Sequence, residues 1–120
     1  MKGLAYEGRI AVMRILKDII LADNRVDERE KLLYGEIAQL LDLDESSRQD
    51  VDKLNSLLAL VIIHDFTQEQ KEEFAKLMGQ MILVDKDINY NEVRIYNVVN
   101  DFCNIMVEFD MDNYPEYTRS

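Results

Sequence analysis

From Ile10 to Ile105 apolar side chains return every third or fourth residue, the spacing that lines one face of an α-helix. A single proline, Pro115, stands near the end of the chain, so nothing interrupts long helical stretches and few strands are expected. Ile10, Met13, Ile15, Leu16, Ile19 and Ile20 form the first stripe. It stops at Ala22-Asp23-Asn24, where asparagine suits the left-handed turn that ends a helix, and the first helix should end near Asp23. Asp27, three residues before Glu30, predicts an N-cap with its reciprocal partner and a second helix whose face carries Leu32, Leu33, Ile37, Leu40 and Leu41.

Asp44 is expected to cap a third helix that begins its apolar face at Val51 and Leu54 and is apolar on every side from Leu57 to Ile63. A segment of that kind belongs in the middle of a bundle. Thr67 with Gln70 opens a fourth helix, buried through Phe74, Leu77, Met78, Met81 and Ile82 and ending near Asp85. Asn89 with Glu92 opens a fifth, marked by Val93, Ile95, Tyr96, Val99, Phe102, Cys103 and Ile105. The fold class is therefore all-α, a helical bundle of at least five helices. One domain spans residues 1–120, with its core over about 4–108 and an aperiodic tail over 110–120.

A formal net charge of -10 repels phosphate backbones and anionic lipid surfaces, so no nucleic acid and no membrane is expected as a partner. Cations, or a basic patch on another protein, suit that field. Cys103 is the only cysteine, which leaves no internal disulfide and no set of thiolates for a zinc site; a reducing cytoplasm fits. The apolar stretch from Leu4 to Leu21 is cut into stripes by Glu7, Arg9, Arg14, Lys17 and Asp18, and Leu57 to Ile63 is far shorter than the roughly 20 residues that span a bilayer.

Shifting the sequence by 62 positions lays Leu21 on Leu83, Asp23 on Asp85, Glu30 on Glu92 and Tyr34 on Tyr96. Apolar positions follow, among them Ile19 on Met81 and Val26 on Ile88, so the two halves read as a degenerate, pseudo-two-fold repeat of helix, acidic loop, helix. Both loops have the form Asp, two residues, an aliphatic, Asp or Asn, two residues, Glu.

Two readings of these loops stay open. Asp27 or Asn89 can cap the following helix while Glu30 or Glu92 reaches back to it. Asp23 and Asp85 stand at helix C-termini, where the dipole is negative and an acid costs roughly 0.3–1 kcal/mol. A local turn onto the loop backbone could offset that cost, or a divalent cation could, gathered by Asp23, Asp27 and Glu30 in one loop and by Asp85, Asp87, Asn89 and Glu92 in the other. The second loop alternates Asp85, Asp87, Asn89 and Asn91 as a calcium-binding EF-hand begins, but Tyr90 and Tyr96 stand where that motif needs glycine and a bidentate glutamate. Calcium, magnesium, manganese or zinc would be held in some other geometry.

The run from Leu21 to Glu30 resembles the signature loop of the TerB-like tellurite-resistance family, and the resemblance extends over both halves from about Ile10 to Ile105. In that family the aspartate is usually followed by glycine; here Asn24 and Lys86 hold the position, and Lys86 sets a competing positive charge beside any cation. The resemblance implies a helical bundle with internal pseudo-symmetry, an intracellular role in stress or tellurite resistance, metal binding at the acidic loops and no catalytic activity.

Other chemistry is sparse. His64, the sole histidine, reads as a helix-end or packing residue, Cys103 as core, and Met78 and Met81 as core rather than soft-metal ligands. No Glu-x-x-His pair and no glycine-rich phosphate cradle exists, which argues for binding over catalysis. The alternative is a protein-protein interaction or self-association module, a homo-oligomer included, whose acidic loops are only caps. Its surface would come from the stretch Leu57 to Ile63 or from the tail with Phe109, Tyr114 and Tyr117. Three up-and-down helices between the loops would place the two loops at opposite ends of the bundle, as separate sites.

Overall fold

The structure, a computed structural model, describes residue 1 and residues 3–118. Seven α-helices and one 3₁₀ turn occur among the described residues, with no strand: α1 (Tyr6–Ile20), α2 (Glu28–Leu40), α3 (Ser47–Lys53), α4 (Ser56–His64), α5 (Gln68–Leu83), α6 (Tyr90–Phe102), the turn Met111–Asn113 and α7 (Pro115–Thr118). None of these helices is long and apolar enough to cross a membrane.

The centre of the bundle is α1, which touches each of α2 to α6. Ile10, Ala11, Val12, Met13, Ile15, Leu16 and Ile19 are buried around most of its circumference. Along one stripe Arg14 pairs with Asp18 at 3.0 Å and Lys17 pairs with Asp52, while Arg9 on another side donates to the Leu41 carbonyl at 2.9 Å. α5 supplies the second wall through Phe74, Ala75, Met78, Met81 and Ile82, all fully buried. Met78 and Met81 are core residues, as expected, and so is Cys103.

The caps follow the sequence closely at two helices. Asp27 and Glu30 close a reciprocal capping box on α2, and Thr67 and Gln70 do so on α5; at α6 Asn89 accepts from the Asn91 N–H, but the expected return bond from Glu92 is replaced by its contact with Glu30. The expected single third helix is instead two. Leu54 is extended at ψ 125°, and the Asn55 side chain accepts from the N–H groups of Leu57 and Leu58, so a new helix starts at Ser56. An asparagine able to satisfy two first-turn donors makes such a break inexpensive. Asp44 caps no helix directly; it accepts from the Ser46 N–H and hydroxyl in the turn before α3.

Two burial expectations are also corrected. α4 does not lie in the middle of the bundle: only Ala59 and Ile63 are buried, against α1, while Leu57, Leu58 and Val61 are exposed. On α2, Ile37 and the following Leu41 are buried, but Leu32 and Leu40 face solvent. The tail folds back over α5, where Tyr114 is buried so close to Gly79 that a Cβ there would lie 2.1 Å from its hydroxyl. Phe109 packs edge-on against Tyr96 at 5.5 Å between ring centroids.

Candidate functional site

α1 ends at Ile20, three residues before Asp23, and the loop that follows is built from local hydrogen bonds. Asp23 Oδ1 accepts from the Arg25 N–H at 3.1 Å, Asn24 takes φ 62°, and Asp27 Oδ1 accepts from the Arg29 N–H at 2.8 Å. The loop after α5 repeats each device: Asp85 Oδ1 accepts from the Asp87 N–H at 3.0 Å, Lys86 takes φ 62°, and Asn89 Oδ1 accepts from the Asn91 N–H at 2.8 Å. The turn onto loop backbone therefore offsets the unfavourable placement of both leading aspartates. Lys86 adopts the left-handed conformation that asparagine accepts more readily.

The two loops lie side by side, not at opposite ends. Asn89 Nδ2 donates to Asp23 Oδ2 at 3.3 Å, and Arg25 Nη2 reaches Asp87 Oδ2 at 3.8 Å. The break at Asn55 accounts for the difference: four helices, not three, separate the loops, and an even number of reversals returns the chain to the end it left. Together the loops enclose a cleft of about 300 Å³, lined by Asp23, Asp27, Glu30, Asp85 and Asp87 and by the side chains of Arg25 and Arg29.

At the base of this arrangement Glu30 and Glu92 meet. They occupy equivalent positions in the first turns of α2 and α6, and they are 2% and 1% exposed. Glu30 Oε1 accepts from the Asp27 N–H at 3.1 Å, whereas Glu30 Oε2 and Glu92 Oε1 are buried with no donor among the described residues. Two carboxyl groups so placed can hydrogen-bond to one another only if one carries a proton. Burial, then the hydrogen bond to Glu30 and the charges of Glu30, Asp85 and Asp23, push the Glu92 carboxyl up to about 9, so the Glu30–Glu92 pair holds a proton at neutral pH. Burial raises Glu30 as well, opposed by the hydrogen bonds from Asp27 and Glu92.

The outer acids differ in their partners. Burial, with the nearby charges of Asp27 and Asp87, raises Asp85 against the hydrogen bond from the Asp87 N–H. Asp27 is held low by Arg29, whose Nε and Nη2 reach its two oxygens at 3.1 and 3.2 Å. Among the described residues no three His, Cys, Asp or Glu side chains are gathered to hold a metal ion as they stand. The acids are present, but Arg29 and Arg25 neutralise Asp27 and Asp87 from within the cleft. These two arginines and the Glu30–Glu92 contact are what sequence reasoning missed. His64 lies apart, beside Asp65 and edge-on to Phe102 at 6.4 Å.

No family model matches the chain, and no curated protein matches it. Among solved structures it is similar to the crystal structure of a protein of unknown function from Porphyromonas gingivalis W83, at 18% identity and a TM-score of 0.77 over all of both chains. Likeness at that identity speaks for the all-helical fold alone.

Proposed function

We propose that this chain is a non-enzymatic, TerB-like module that binds a divalent cation in the cleft between its two acidic loops. One observation carries the reading: Glu30 and Glu92 are buried together, and beyond the proton they share, Glu30 Oε2 and Glu92 Oε1 have no donor among the described residues. Burying a polar oxygen without a partner costs roughly 1–3 kcal/mol, more for a charged group, and a shared proton removes only part of that cost. A cation placed between the loops would draw on Glu30 and the outer acids Asp23, Asp27, Asp85 and Asp87 that line the cleft, with Glu92 behind Glu30 and Asn89 beside Asp23 completing the set. Arg25 and Arg29 act as stand-in charges that withdraw when the ion enters.

The cleft offers oxygen donors only, with no histidine or thiolate on its lining, which favours calcium, magnesium or manganese over zinc. The matching turns, positive φ angles and caps 62 residues apart support the pseudo-two-fold repeat and with it the TerB resemblance. A cytoplasmic role in stress or tellurite resistance follows from that resemblance.

Calorimetric titration at neutral pH with each of the four ions tests the reading. Wild type should bind at least one ion saturably, and Glu92→Gln, which keeps the shape and removes the ionisable group, should weaken it by about tenfold or more. No heat from any ion at millimolar concentration, together with no shift in melting temperature, would sink the proposal.

A further inference from the structure

An apolar groove of about 480 Å³ runs between α4 and α6, with Leu60, Ile95 and Val99 among its lining residues. The two helices lie alongside each other in the same direction. Ser56 and Asn91 line the groove from the two helix starts, the Cys103 thiol donates to the Leu60 carbonyl at 3.3 Å, and the His64 ring meets Phe102 near both helix ends. Leu57, one turn before Leu60, is 63% exposed, and Val98 across the groove is 58% exposed. Val61 and Phe102 continue these two ridges and are exposed too. A helix that is apolar on every side is ordinarily covered on every side, yet α4 is fully buried only at Ala59 and Ile63 against α1, with Leu60 and Ile62 partly covered and Leu57, Leu58 and Val61 exposed.

The surroundings select among occupants by charge. Ala22 and Asn91 line one end of the groove, one and two residues from Asp23 and Asn89 of the acidic loops, so that end of the apolar surface lies next to Asp23 of the acidic cleft. Arg94, the basic residue of the lining, lies over the Tyr90 ring at 5.7 Å. A second copy of the chain would bring its own net charge of -10 against the same field.

We propose that the α4–α6 groove receives an amphipathic helix of a partner protein, apolar along one face and carrying lysine or arginine at the end that lies over Asp23, Asp85 and Asp87. The apolar face fills the groove between Leu57 and Val98, and the basic end is drawn by the loops. It uses the same acids as the cation reading, so a bound ion would compete with the basic end, and binding of the helix is therefore measured in chelator.

The test uses a labelled synthetic helix of about 18 residues, roughly 27 Å long, with leucines on one face and lysines in one terminal turn. It is titrated with the full chain in chelator at physiological salt and followed by fluorescence anisotropy. Micromolar binding is expected, about tenfold weaker or worse for Leu57→Ser with Val98→Ser, for Asp85→Asn with Asp87→Asn, and for a peptide with glutamates replacing the lysines. Leu57 and Val98 are exposed, so the serine variant should melt like wild type, which separates lost docking from lost fold. Undiminished binding by the serine variant, or no binding by wild type, would overturn the proposal. So would a wild-type dimer in sedimentation that the serine variant loses, because that result assigns the face to a second copy.

Discussion

The two acidic loops share one backbone design and divide its work. In the first, Glu30 is anchored: it closes the capping box on the Asp27 N–H, and Asp27 is itself clamped by Arg29. In the second, the cap is the neutral Asn89, whose side chain spans to Asp23, and Glu92 turns toward Glu30 with the proton the pair holds. Positions that match in backbone geometry need not match in partners. One loop supplies a carboxylate anchored to backbone and the other a carboxyl turned to meet it, and burial raises both.

The largest effect that would break or sharpen this contrast is electrostatic. Glu92 rises from an ordinary 4.5 to about 9 in the folded chain, so between those values the native state holds a proton that the unfolded state has released. Stability in chelator should therefore fall as pH rises from about 5 to 9, by at most about 1.4 kcal/mol per pH unit, the slope for one proton. Glu92→Gln should abolish most of that slope and be more stable than wild type at pH 8 by roughly 2–4 kcal/mol in urea unfolding. A flat wild-type profile over this range would remove the proton from the Glu30–Glu92 pair.

A smaller effect tests the anchored partner. Glu30→Ala should lose about 0.5–2 kcal/mol at pH 5 in chelator, because the Asp27 N–H loses its acceptor, while Glu92→Gln at that pH should stay within about 0.5 kcal/mol of wild type. Equal losses from both would erase the distinction. The smallest effect concerns the turns. Lys86 and Asn24 share φ 62°, but only lysine is strained there, so Lys86→Gly should stabilise by about 0.5–1 kcal/mol and Asn24→Gly by little, as read from melting temperatures.

Caps and core were legible where one signal sufficed: the Asp27–Glu30 and Thr67–Gln70 boxes, the stripe of Phe74, Met78, Met81 and Ile82, and the buried Cys103 all stand where the pattern puts them. Asn55 was missed because it sits between Leu54 and an unbroken apolar run, where periodicity continues through a break that only a cap reveals. That one residue changed the parity of the chain path and so the relation of the two loops. Leu32, Leu40 and Leu57 misled because burial depends on which neighbours arrive, and apolar character alone does not say. The seven candidate site residues were found as two loops; their convergence was not. Glutamate at the same place in the first turns of α2 and α6 was the available signal.

The central claim is that the two loops make one site, and a double-mutant cycle on ion affinity tests it most directly. Titration calorimetry of wild type, Asp23→Asn, Asp85→Asn and the double variant, with the best-bound ion at pH 8, gives the stoichiometry and the coupling together. One ion per chain is predicted, with each single variant weakening it severalfold and the pair departing from additivity by about 0.5 kcal/mol or more. Two ions per chain, each lost with one aspartate while the other remains at wild-type affinity, would contradict the account.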